Sequence, residues 1–78
     1  KLFSLNASRR ASLKGITHVW LHGDRLYKLA AKYYGDPGLW WIIAWYNGKP
    51  TDAHYKVGDY IKIPQPIERI LYYFNVGE

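Results

Sequence analysis

Three histidines are the first residues to ask for chemistry. His18 and His22 fall on one face of an extended segment, two steps of two residues apart, with Asp24 close behind. Two imidazoles and a carboxylate are the beginning of a metal site. A closed site needs a third and a fourth ligand, and His54 is the only other histidine, far along the chain. That spacing does not make a metal centre, and no cofactor is expected. Hydrolysis needs a nucleophile with a base and an orienting group, or paired carboxylates. Ser4, Ser8 and Ser12 lie in a leading stretch where nothing positions them, so the chain does not read as an enzyme. Arg9 and Arg10 stand side by side in the same stretch. They suit a solvated arm, docking onto an acidic neighbouring protein, or contact with nucleic acid. No zinc, ribonucleoprotein or helix-turn-helix signature accompanies them.

The chain is 78 residues long, room for one domain. A domain this small is marginal without disulfides, metals or partners, and it has no cysteine. Its aromatic content of 18% offers another route, because each large ring buries roughly 150–250 Å². The net charge is +5, and no acid precedes Asp24. Residues 1–15 therefore read as an extended basic arm without a helix or strand period. No run approaches the roughly 18–20 apolar residues of a membrane span, and the arm lacks a signal peptide's apolar core.

After the arm, residues 16–21 (ITHVWL) read as a strand, with Thr17, Val19 and Leu21 on one face and His18, Trp20 and His22 on the other. A helix follows, with Asp24 as its N-cap and Leu26, Leu29, Ala30 and Tyr33 as its apolar stripe. Gly35 suits its C-terminal end, and Asp36-Pro37 the start of a second helix over residues 37–47. Asn47-Gly48 ends that helix, since both residues tolerate positive φ. Tyr60 to Ile63 alternate as a second strand closed by Pro64. Pro66 opens a terminal helix with Ile67, Ile70, Leu71 and Phe74 as its stripe.

The second helix, LWWIIAWYN, is apolar on every side. A helical wheel gives a core stripe of Leu39, Trp40, Ile43, Tyr46 and Asn47, with Trp41, Trp45 and Ile42 opposite. A helix apolar all round is buried all round. Either the arm or the terminal helix covers Trp41 and Trp45, or another protein does. Trp41, Trp45 and Ile42 are thus candidate interface anchors. Tyr27 and Tyr34, with Ala31 between them on the first helix, form a second candidate stripe, and Arg9 and Arg10 a secondary contact.

The string from Gly23 to Asp36 (GDRLYKLAAKYYGD), Leu39-Trp40, Ile43 with Asn47, and Val57 to Pro64 (VGDYIKIP) resembles the LysM family. The resemblance implies an α+β fold, a LysM-like β-α-α-β unit with a two-stranded antiparallel sheet at residues 16–64. The extended arm would precede it, and a C-terminal helix and tail at 65–78 would follow. Many such domains bind N-acetylglucosamine polymers of peptidoglycan or chitin. By position, that implies a groove between Gly23, Asp24, Arg25 and Leu26 and the loop of Asn47, Gly48, Lys49 and Asp52, with Tyr55 as the loop aromatic. Arg25 stands where that group usually has Thr. The string GDRLYKLAAKYYGDPGLWWIIAWYNG, with the tail PIERILYYFN, is more similar to the LysM-type domain of phage baseplate wedge proteins, where Arg is the expected residue. This implies a structural virion protein of a tail or baseplate, made in the bacterial cytoplasm. It would join neighbouring baseplate subunits by protein–protein contacts. A glycan-binding module is the alternative.

Overall fold

The computed structural model describes residues 14–76. The arm with Ser4, Ser8, Arg9, Arg10 and Ser12 lies outside the described residues. The order of elements is strand β1 (Lys14–Val19), helix α1 (Leu26–Tyr34), a 3₁₀ turn (Pro37–Leu39), helix α2 (Trp40–Asn47), a 3₁₀ turn (Asp52–His54), strand β2 (Tyr60–Gln65) and helix α3 (Ile67–Val76). The fold is a small α+β arrangement, β-α-α-β with a short C-terminal helix.

β1 and β2 pair antiparallel, from Lys14 opposite Gln65 to Val19 opposite Tyr60. The strand starts two residues before the β-branched run, because Lys14 and Gly15 have partners in Gln65 and Pro64. Trp20 follows it, bonded through its backbone to Asp59 and Gly58. β2 alternates as its sequence requires: Ile61 and Ile63 are buried, and Tyr60 and Lys62 face water.

The local stops of α1 and α2 follow from residue type. Gly35 and Gly48 take positive φ, 75° and 69°, and their N–H groups close the last turns on Ala31 O and on Ala44 and Trp45 O. Asp36 accepts from Gly38 N–H at 2.9 Å, and Pro37 fills the first position of the 3₁₀ turn that leads into α2.

Two cores meet across α2. The larger joins Trp20, Leu26, Leu29, Ala30, Ile43, Ala44, Tyr55, Ile61 and Ile63 between the sheet and the two helices. Within it Trp20 stacks on Tyr55, centroids 4.6 Å apart. The smaller pairs Ile42 with Ile70, ringed by Trp41, Trp45, Phe74 and neighbours. Phe74 stands edge-on to both indoles, at 5.1 and 5.2 Å. α2 is apolar all round because β2 and α1 bury one side and α3 the other. This corrects one expected interface anchor. Ile42 is wholly buried by its own chain, and Trp41 and Trp45 are half-covered by α3.

Candidate functional site

The two loops expected to face each other do meet, through a hydrogen bond between residues far apart in the chain. Leu26 N–H, an open donor of the first turn of α1, donates to Asp52 Oδ1 at 2.7 Å. Asp52 is therefore the cap of α1. Asp24, the expected cap, is engaged elsewhere: its Oδ2 accepts from Leu21 N–H and from His18 Nε2, both at 2.8 Å. Arg25 occupies the N-cap position with extended backbone and makes no side-chain cap bond.

Beside the Leu26–Asp52 tie lies a shallow depression of about 210 Å³, lined by Leu26, Tyr27, Trp40, Pro50, Thr51 and Asp52. A second, of about 260 Å³, continues past Trp40 and Pro50 along Trp41, Ala44, Trp45 and Gly48. The two share Trp40 and Pro50, so they adjoin as one aromatic groove. Tyr27 is 51% exposed and Trp40 41%. Within the first depression the two loop side chains have partners: Asp52 holds Leu26, and Thr51 Oγ1 lies 2.8 Å from His54 Nδ1. Pro50 has no N–H to offer.

The helical wheel misplaces Trp40, and it sets Leu39 and Tyr46 beside Ile43 where the structure packs them on the smaller core. The wheel gives an angle around the axis and no height along it. Trp40 opens α2 immediately after the 3₁₀ turn, and its ring lies by Tyr27 and Pro50 instead of in the core. Tyr34 departs from expectation in the opposite sense. It packs inward on both cores and donates its hydroxyl to Pro64 O at 2.8 Å. Burial, then the charge of Tyr46, pushes its phenol well above the usual tyrosine range. Tyr34 is thus only partly exposed, with its hydroxyl engaged inside the chain.

Of the other loop residues, Gly23 shapes the turn with φ 89°, and Asp24 and Arg25 stay outside the groove. Asn47 is committed to the chain itself. Its Nδ2 donates to Ile43 O and Lys62 O at 2.8 Å, and its Oδ1 accepts from Lys62 N–H at 2.9 Å. Lys49 lies over the Tyr55 ring and 3.8 Å from Asp59. Tyr55, the expected loop aromatic, is buried against Trp20 and donates to Lys49 O at 3.2 Å. Burial, then the Asp52 charge, raises its phenol to about 12.

The histidines do not converge. His18 is wedged between Asp24 and Tyr33, whose hydroxyl lies 3.0 Å from its Nδ1. His22 is exposed on the turn, and His54 is tied to Thr51. Among the described residues no three His, Asp or Glu gather to hold a metal, and no helix is long and apolar enough to cross a membrane. Comparison with protein-family models, curated proteins and solved structures gave no match.

Proposed function

We propose that the chain is a LysM-like structural component of a phage tail or baseplate that joins neighbouring subunits. Its sequence resemblance from Ile16 to Asn75 suggests the setting, and the groove around Trp40 provides a surface for the contact. One observation favours a protein over a sugar there. Thr51 and Asp52, on the loop side of the first depression, already have partners inside the chain, while the rings of Tyr27, Trp40 and Pro50 offer a mostly apolar outer surface with only the Tyr27 hydroxyl and the Trp40 indole N–H as polar groups. An apolar ring seats on such a surface without asking for hydrogen bonds, and buried Trp and Tyr are common interface anchors. The anchors of this reading are Trp40 and Tyr27, with the outer edges of Trp41 and Trp45 beside them.

The test is assembly in the phage that carries the chain. Replacing Trp40 and Tyr27 by Ser should leave a folded protein and stop tail completion, with incomplete baseplates in electron micrographs. Complete, infectious particles that contain the doubly substituted chain would refute the groove contact. Purified virions without the chain would refute the virion role itself.

A second reading is favoured by place alone. The first depression lies between the loops of Leu26 and Asp52, where the resemblance puts N-acetylglucosamine polymers. Titration with N-acetylglucosamine oligomers, followed by tryptophan fluorescence, separates the two readings, because Trp40 lines the groove. A saturable change supports the glycan module; an unchanged spectrum at millimolar sugar removes it.

A further inference from the structure

A two-stranded sheet has two outer edges, and here they are treated differently. Trp20 turns both backbone polar groups toward the second strand: its N–H donates to Asp59 O, and its C=O accepts from Gly58 N–H, both at 2.8 Å. Backbone direction alternates along a strand, so His18 and Ile16 also face β2, and Gly15, Thr17 and Val19 face away. Their opposite numbers on β2 are Pro64, Lys62 and Tyr60.

The β2 edge is closed by side chains at Lys62 and Pro64. Asn47 takes both the N–H and the C=O of Lys62, Tyr34 takes the C=O of Pro64, and Pro64 has no N–H. Among the described residues no comparable device protects the β1 edge. Among the described residues nothing pairs with the backbone groups of Gly15, Thr17 or Val19, and the strand contains neither proline nor carboxylate. An open edge of this kind is a template for another strand.

We propose that β1 accepts an extended strand from a different protein, lengthening the sheet to three strands. The side chains beside the edge state what that strand carries. On the open face Lys62 Nζ reaches across to Thr17 Oγ1 at 2.8 Å, so an ammonium stands next to the position facing Thr17. An Asp or Glu belongs there. One step along the same face, Val19, Leu21 and Tyr60 are exposed, and Tyr60 is 75% so. The residue facing Val19 is therefore apolar. The incoming strand alternates acid and apolar side chains on that face.

A second copy of this chain fits poorly. In the two-fold register centred on Thr17, the two threonines sit about 5.5 Å apart, each bearing its own lysine ammonium. This edge is separate from the Trp40 groove, and the inference does not depend on what that groove holds.

The probe is a short capped peptide with threonine at alternate positions and glutamate and valine alternating between them, tested against its Glu-to-Lys counterpart. Amide hydrogen exchange and amide shifts of the 78-residue chain are the readouts. In the free chain Gly15, Thr17 and Val19 should exchange openly while Ile16 and His18 are protected. The acidic peptide should protect the first three and bind about fivefold more tightly than the lysine peptide. Lys62→Glu should reverse that preference. Thr17→Pro should abolish binding and keep the β1–β2 ladder, because it removes a donor that the ladder does not use.

Four results would each overturn the proposal. Protection of Gly15, Thr17 and Val19 in the free monomer would mean that the chain closes its own edge. The same protection arising in a concentration-dependent dimer would make the occupant a second copy. The acidic peptide could fail to bind, or shift only the groove residues. Its binding could also survive Thr17→Pro.

Discussion

Replacing Asn47 tests whether one side chain holds α2 against the sheet. The amide makes three hydrogen bonds in a single orientation: its nitrogen meets two carbonyl oxygens, Ile43 O and Lys62 O, and its oxygen meets Lys62 N–H. A neutral hydrogen bond contributes about 0.5–1.5 kcal/mol net. The Lys62 groups lie at an exposed edge, where water partly replaces the lost amide. Asn47→Ala should therefore cost about 2 kcal/mol, from a total of about 4–12 kcal/mol for a chain this size. In a domain of this length that lowers Tm by about 8–16 °C. Urea unfolding followed by circular dichroism measures it, with an unchanged slope if the fold is kept. Asn47→Asp sharpens the test. A carboxylate still accepts from Lys62 N–H but faces two carbonyls with no proton to give, so the fold favours the protonated acid and raises its pKa. The stability of this variant is then highest below the unfolded carboxyl pKa of about 3.9 and falls as pH rises through the folded value. Asn47→Ala within about 0.5 kcal/mol of the parent would refute the tether. So would an Asn47→Asp variant as stable as the parent at neutral pH.

Ile70→Ala should cost about 3 kcal/mol, because Ile70 and Ile42 are both fully buried and face each other. Tryptophan emission should shift to the red as α3 loosens from Trp41 and Trp45; an unshifted spectrum with parental stability would contradict the packing. Asp52→Ala should cost about 1 kcal/mol by removing the acceptor for Leu26 N–H, and Asp52→Asn, which keeps an acceptor, should recover most of it in the same urea assay. Burial opposes the charge on Asp24, but the hydrogen bonds from His18 and Leu21, with the charges of His18 and Lys32, outweigh it and hold the carboxyl below its ordinary value. That contribution is present above the unfolded pKa of about 3.9 and is lost as pH falls through the folded value. Asp24→Asn should therefore flatten the acid limb of the stability curve, and an unaltered limb would assign the acid sensitivity to other groups.

The stops of the helices were legible because they are local. Gly35, Asp36-Pro37 and Asn47-Gly48 each act within a few residues, through allowed φ or a side chain reaching two positions along. The tethers were not legible. Asp52 caps a helix that begins 26 residues earlier, and Asn47 reaches a strand 15 residues later. No propensity encodes which polar side chain will meet which backbone group at such separations. Asp24 shows the cost of reading locally: its type and place suit a cap, yet the turn at Leu21 and the ring of His18 hold it. The apolar circumference of α2 was legible as a demand for burial on both sides, but composition does not say who meets the demand. Because α3 meets it over Ile42, the aromatic surface that remains is the one at Trp40, one helical turn before Ile43, where the wheel reads core. Asn47, Asp52, Asp24 and Tyr34 are all turned to backbone groups of their own chain. Among the described residues, Tyr27, Trp40 and the outward backbone groups of β1 are not turned to the chain in this way.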